Sequence, residues 1–248
     1  VKHYSYRTEQ SYLEWIRRFI LFHGKRHPKD MAEAEVESFL THLAIDKNVA
    51  ASTQNQALSA ILFLYRHVLK QPLNETIEAV RARPSQYLPT VLSVSEARLL
   101  LQNLQGTPQL LAKLLYGTGM RLSEGVRLRV KDIDFEQSKI IVREPKGNQD
   151  RTTVLPQSIQ SLLQAQLLQT QQLHQDDLAQ GYGSVYLPYA LARKYPQADQ
   201  DWIWQFVFPA LNRAIDPRDG KAKRHHIDGR VLQRAIKKQP IKLTFPKK

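Results

Sequence analysis

Apolar residues recur at helical spacing over most of the chain, and the breaks in that rhythm divide it. Tyr12, Ile16, Phe19, Ile20 and His23 mark a first helix, with Gly24 placed to end it in a left-handed turn. Val36, Phe39, Leu40 and Leu43 share one face of a second, near Met31 to Leu43. A third begins after Ser52 and carries Leu58, Ile61, Leu62, Tyr65 and Leu69; a shorter fourth is expected over about Leu73 to Arg83. Four helices with short loops predict a small bundle over residues 1–83.

Residues 84–92 hold two prolines and no helical period, which predicts a linker. Ser93-Val94-Ser95-Glu96 is a capping box that opens a helix through Leu104, and another helix spans about Gln109 to Tyr116. The run Arg121 to Arg129 suits a short helix, and Lys131 to Phe135 a turn. Lys139 to Arg143 and Arg151 to Leu155 read as two strands joined by residues 144–150. Pro156 leads into a helix from Gln157 to about Leu173 whose leucines keep helical spacing. Residues 176–228 lose the rhythm and are rich in aromatics, and a last helix begins near Arg230 and ends at Pro240. The expected fold class is mainly α with a small β-hairpin, in two domains, 1–83 and 93–248.

Composition narrows the function. A hydrophobic share of 42% in 248 residues is enough for real cores. No apolar run reaches membrane-spanning length and no secretory signal is read, so a cytoplasmic protein away from membranes is expected. The chain opens on Val1, so the native start is expected to lie before it. Cysteine is absent, which excludes disulfides and thiolate metal sites. The formal charge is +13, spread along the chain rather than gathered in a tail, and this makes nucleic acid the leading partner class.

The stretch Tyr116-Gly117-Thr118-Gly119-Met120-Arg121-Leu122-Ser123-Glu124-Gly125 carries candidate chemistry. Its glycines permit a tight turn at a helix start. That turn can hold the Arg121 guanidinium toward a phosphate, whose oxygens match the donor fork of arginine. Glu124, one turn on, can brace it. The same spacing also suits a surface arginine with a glutamate beside it, and context decides between the two.

The Arg121 turn, the Lys146-Gly147 hairpin and the preceding helical domain resemble the tyrosine recombinases, over about Tyr4 to Lys238. Within that family, Tyr195-Pro196, Trp204, Phe208-Pro209, Asp216-Pro217 and Arg224-His225-His226 resemble the insertion of integron integrases, here at about 176–228. The resemblance implies a SAM-like core-binding bundle followed by an α+β catalytic domain. It implies gene-cassette integration and excision by strand exchange through a 3′-phosphotyrosine, without a cofactor or metal. Arg121 matches the arginine that stabilises charge on the transition state, and Glu124 its support. Lys146 matches the lysine that protonates the leaving 5′ oxygen. Trp204, Pro217, His225 and His226 match positions that meet bases pushed out of a folded single-stranded hairpin. Arg143 stands where the family has an aromatic; a guanidinium can still stack on a base. Taken bare, Trp202 and Trp204 suit a core or interface better than a base contact, and the paired histidines suit phosphate before metal.

The pattern departs from the family at the end. His174, His225 and His226 are the histidines after Arg121, and none has arginine three residues on. The last tyrosine is Tyr195, inside the insertion, so no nucleophile is assigned. From Gln239 the family pattern stops, which resembles a truncated or frameshifted reading frame and predicts a catalytically inactive chain. Related recombinases act as homo-oligomers on duplex sites, an assembly expected to be weakened here. The alternatives are a non-catalytic DNA-binding protein that modulates an intact recombinase, and a helical nucleic-acid-binding module unrelated to recombination.

Overall fold

The computed structural model describes residues 6–73, 77–82, 91–143, 150–187 and 189–239. The chain forms two compact units, Val1–Pro89 and Thr90–Lys248. In the first, α1 (Tyr6–Phe22), α2 (Glu33–Ile45) and α3 (Ala51–Phe63) enclose Trp15, Phe19, Val36, Phe39, Leu40, Ala57 and Ile61. Gly24 takes φ +63° just past α1, as the helix-ending role requires. A π-helical turn, Leu64–Leu69, prolongs α3 and buries Tyr65. The Tyr65 hydroxyl donates to the carbonyls of Pro28 and Met31 at 2.9 and 3.1 Å, and burial pushes its pKa up to about 12.

The fourth helix expected over Leu73 to Arg83 does not form among the described residues, Leu73 and 77–82. Side chains replace the helical hydrogen bonds there. Gln54, 1% exposed, donates to the carbonyls of Leu40 and Val80 and accepts from the Ala82 N–H. Thr41 and Glu37 accept from the N–H groups of Val80 and Glu78. With its backbone satisfied this way, the segment packs Ile77 and Ala79 on the core without coiling.

The second unit opens with α4 (Val94–Asn103), capped reciprocally by Ser93 and Glu96 as the sequence predicts. Next come α5 (Gly106–Thr118) and the short α6 (Leu122–Val126), followed by a 3₁₀ turn, Val130–Asp132. A three-stranded antiparallel sheet has the order β1 (Ile133–Asp134), β2 (Lys139–Val142), β3 (Arg151–Val154). Part of the expected 131–135 turn is therefore a strand, because Ile133 pairs with Ile140. The hairpin stem pairs Val142 with Arg151; its tip, 144–149, including Lys146, lies outside the described residues.

The helix α7 (Gln157–Ala179) runs two turns past its expected end, so the first residues assigned to the insertion are helical. Its inner face turns polar: Thr170, His174 and Asp177 are buried. Beyond it lie α8 (Tyr189–Lys194), 3₁₀ turns Ala198–Gln200 and Trp202–Trp204, a two-stranded ribbon β4 (Ala214–Ile215) and β5 (Ala222–Lys223), and α9 (Arg230–Lys237). The segment expected as an insertion is not an appendage. Val207 and Phe208 are fully buried in one core with Leu111, Leu114, Ile140, Leu155 and Leu163. The Val207 N–H bonds the Leu128 carbonyl and the Val130 N–H the Gln205 carbonyl, which fixes 205–207 beside 128–130.

Candidate functional site

Local sequence sets the Arg121 turn. α5 ends at Gly119, whose φ of +67° is a left-handed cap that an L side chain takes only at a cost. Gly117 allows close approach of Pro156, since a Cβ there would lie 2.6 Å from the proline Cγ. Thr153 of β3 donates its hydroxyl to the Thr118 carbonyl at 2.9 Å, tying the sheet to the same turn. The chain then presents Arg121 as the N-cap of α6, and its backbone N–H bonds Glu124 at 2.8 Å.

Glu124 is buried, its side chain 5% exposed, between two guanidinium groups. Arg121 reaches it with Nη1 at 2.8 Å. Arg151 grips both carboxylate oxygens, Nη1 at 3.1 Å and Nη2 at 2.7 Å. These hydrogen bonds, Arg151's foremost, hold the Glu124 pKa down at about 2 against the opposing effect of burial. Arg121 remains 56% exposed and makes no other side-chain bond among the described residues, so the rest of its fork faces outward. Arg151 was not among the residues the sequence singled out. The signal for it in the sequence was an arginine opening the second strand of the expected hairpin.

A second cluster lies across the sheet. Arg143, the residue after β2, donates from Nε to buried Asp132 at 2.7 Å and from Nη1 to Asp150 at 3.2 Å. The bond to Asp132 raises its pKa further. Lys131 lies 3.6 Å from the same Asp132 and 4.1 Å from the centre of the Trp204 ring. Burial lowers the Lys131 pKa, and Asp132 opposes that shift. Trp204 is half-buried, packed on Val185, Leu187, Ala198 and Phe206, so it is both core-edge aromatic and cation partner. Arg129 completes the group: it donates to the carbonyls of Trp204 and Tyr186 and sits 4.5 Å from the Phe206 ring centre.

His226 meets this group from the far side, its ring edge-on to Phe206 at 5.2 Å. His225 faces Asp216, Nε2 to Oδ2 at 3.9 Å. Burial lowers both histidine pKa values, so both favour the neutral form more than a free histidine does. Asp216 is fully buried, and its Oδ2 makes no hydrogen bond among the described residues; the Lys223 ammonium, 3.7 Å away, partly compensates its charge. Pro217 follows it, exposed at the turn of the ribbon. Arg224 is not turned outward: it grips Asp177 of α7 with Nε at 2.5 Å and Nη2 at 2.7 Å, and Arg213 joins at 3.0 Å.

The structure thus links Arg143 to Trp204 through Asp132 and Lys131, and His226 to Trp204 through Phe206 and Arg129. Pro217 and His225 meet at Asp216 instead. Lys146 lies outside the described residues, though both stem strands of its hairpin are placed. Among the described residues no three histidine or carboxylate side chains gather as a metal ion would need, and no helix is long and apolar enough to cross a membrane.

A helical unit followed by an α+β unit, with an arginine on a glycine turn braced beside a small sheet, is the architecture of an integrase. The profile of the "Phage integrase, N-terminal SAM-like domain" matches residues 1–75, and that of the "Phage integrase family" matches 90–239. The chain belongs to this family, the tyrosine recombinases. An integrase/recombinase of Escherichia coli is 48% identical over 236 residues, spanning 95% of this chain and 70% of that protein. One of Pseudomonas aeruginosa matches to the same extent. The Tn1549 transposon integrase, solved in complex with transposon right end DNA, shares the fold with a TM-score of 0.54 at 16% identity, over 85% of this chain and 67% of that one.

Proposed function

We propose that the chain acts as a site-specific DNA recombinase of the integron-integrase type and that its residues grip the backbone at the recombination site. The observation that carries this is the Arg121–Glu124–Arg151 group: a buried carboxylate holds one arginine fork open toward solvent at a rigid turn. A phosphate is the ligand such a fork fits. In the proposed reaction Arg121 binds the scissile phosphate, and Lys146 gives its proton to the departing 5′ oxygen. The phosphorus–oxygen bond breaks only if a hydroxyl attacks from the opposite side. Among these 248 residues no tyrosine follows Tyr195 and no His-x-x-Arg occurs after Arg121, so the proposal assigns the attacking hydroxyl to none of them.

In the same proposal Arg143, Trp204 and His226 contact bases as one group, and Pro217 and His225 as another. Trp204 is backed by Lys131 and Phe206, which makes it a fixed platform rather than a swinging ring. The ligand is a folded single-stranded hairpin with extruded bases, or a duplex site, bound in the cytoplasm, with a homo-oligomer as the assembled form. The test is a gel-shift comparison of a bulged hairpin with its unbulged duplex. Tighter binding to the bulged hairpin is expected. Equal affinity for both DNAs refutes the base-reading face.

A further inference from the structure

Resting on the reading of Arg121 as a phosphate grip, we infer that Arg151 is a positioning residue whose charge keeps the Arg121 guanidinium available to the DNA backbone. The geometry poses a problem that Arg151 solves. Glu124 fixes Arg121 through both the backbone N–H and Nη1, at 2.8 Å each. A buried carboxylate so close to a guanidinium forms a closed ion pair and cancels the charge that a phosphate would meet. Arg151 arrives from β3, 27 residues on, and takes both oxygens of the same carboxylate. The group then holds two positive charges and one negative. One positive charge is left over, and it resides on the more exposed arginine: Arg121 at 56% against Arg151 at 38%. The hairpin that carries Lys146 is thereby linked through its own strand to the phosphate grip, so strand position and Arg121 availability are one arrangement.

A bracing role alone would need only the shape of the Arg151–Glu124 fork. A charge-balancing role needs the cation, and it becomes dispensable once Glu124 is neutral. The two are separated by the salt dependence of binding to a 30-base-pair duplex, measured by fluorescence anisotropy on the full chain. Each phosphate contact contributes about −0.9 to the slope of log K against log salt, about a threefold loss of affinity between 50 and 200 mM. Arg121→Gln is expected to remove one such contact. Arg151→Gln is expected to remove the same contact although Arg121 is intact, whereas Arg151→Lys, which keeps the charge and loses the fork, keeps the slope. The decisive variant is Glu124→Gln added to Arg151→Gln, expected to restore the slope. Should Arg151→Gln be too unstable to assay, Arg151→Lys and the double variant still decide.

If Arg121→Gln leaves the slope unchanged, the phosphate grip falls and this inference with it. If Arg121→Gln lowers the slope but Arg151→Gln does not, only the inference falls. It falls also if Arg151→Lys loses the slope and the double variant fails to recover it, since Arg151 then acts by shape alone.

Discussion

Burying a carboxylate costs several kcal/mol unless cations meet it, and two residues of the second unit are each met by two arginines. Asp177, 3% exposed, is held by Arg224 and Arg213; Glu124 is held by Arg151 and Arg121. Replacing Asp177 with alanine strands the Arg224 guanidinium, whose side chain is only 11% exposed. The expected cost is about 3–5 kcal/mol in urea denaturation of the full chain; a loss below ~1 kcal/mol would show that solvent reaches Arg224 after all. Acid acts on the same groups. Glu124 has its pKa depressed from 4.5 to about 2, so its stabilising contribution is complete above about 4.5 and disappears as pH falls toward 2. Thermal midpoints are expected to hold level down to about pH 5 and to drop below it, and the drop should be smaller in Glu124→Gln. At this scale the Arg121 turn was legible because the glycines and the Glu124 carboxylate that shape it lie within a few residues. Arg151 was not, because its partner is 27 residues away and nothing local announces the pairing.

Among the elements, those whose signals are local matched expectation: the Ser93–Glu96 cap, the Gly24 helix end, the two hairpin strands. The failed element is the fourth helix. Its apolar spacing is genuine, but Gln54 offers the segment hydrogen bonds that compete with coiling, and tertiary contacts override a weak local preference. Gln54→Leu is therefore expected to destabilise the first unit by about 1–3 kcal/mol for each backbone group left bare. The readout is urea denaturation followed by Trp15 fluorescence in a background where Trp202 and Trp204 are phenylalanine. An unchanged midpoint would mean that residues 77–82 contribute nothing to that core. The end of α7 was misjudged for a related reason. Thr170, His174 and Asp177 are polar, yet they lie on its buried face; Thr170 donates to the Val207 carbonyl, and Arg213 and Arg224 hold Asp177 from the following segment.

For the whole molecule, the +13 charge is the property that distance does not dilute. Duplex affinity is expected to fall linearly with salt on logarithmic axes, losing about 10³-fold or more between 50 and 200 mM if six or more phosphates are met; a flat response would remove DNA as the partner. The chain's own order of residues determined the family, the helical class, the capped starts and ends and the arginine turn. Each depends on charge or on contacts a few residues apart, which chain connectivity enforces. The tertiary structure alone decided that Val207 and Phe208 belong to the main core, that Arg224 faces α7 rather than solvent, and that Arg151 shares the carboxylate of Arg121. These pairings join positions far apart along the chain, and their partners become neighbours only when the apolar faces between them close.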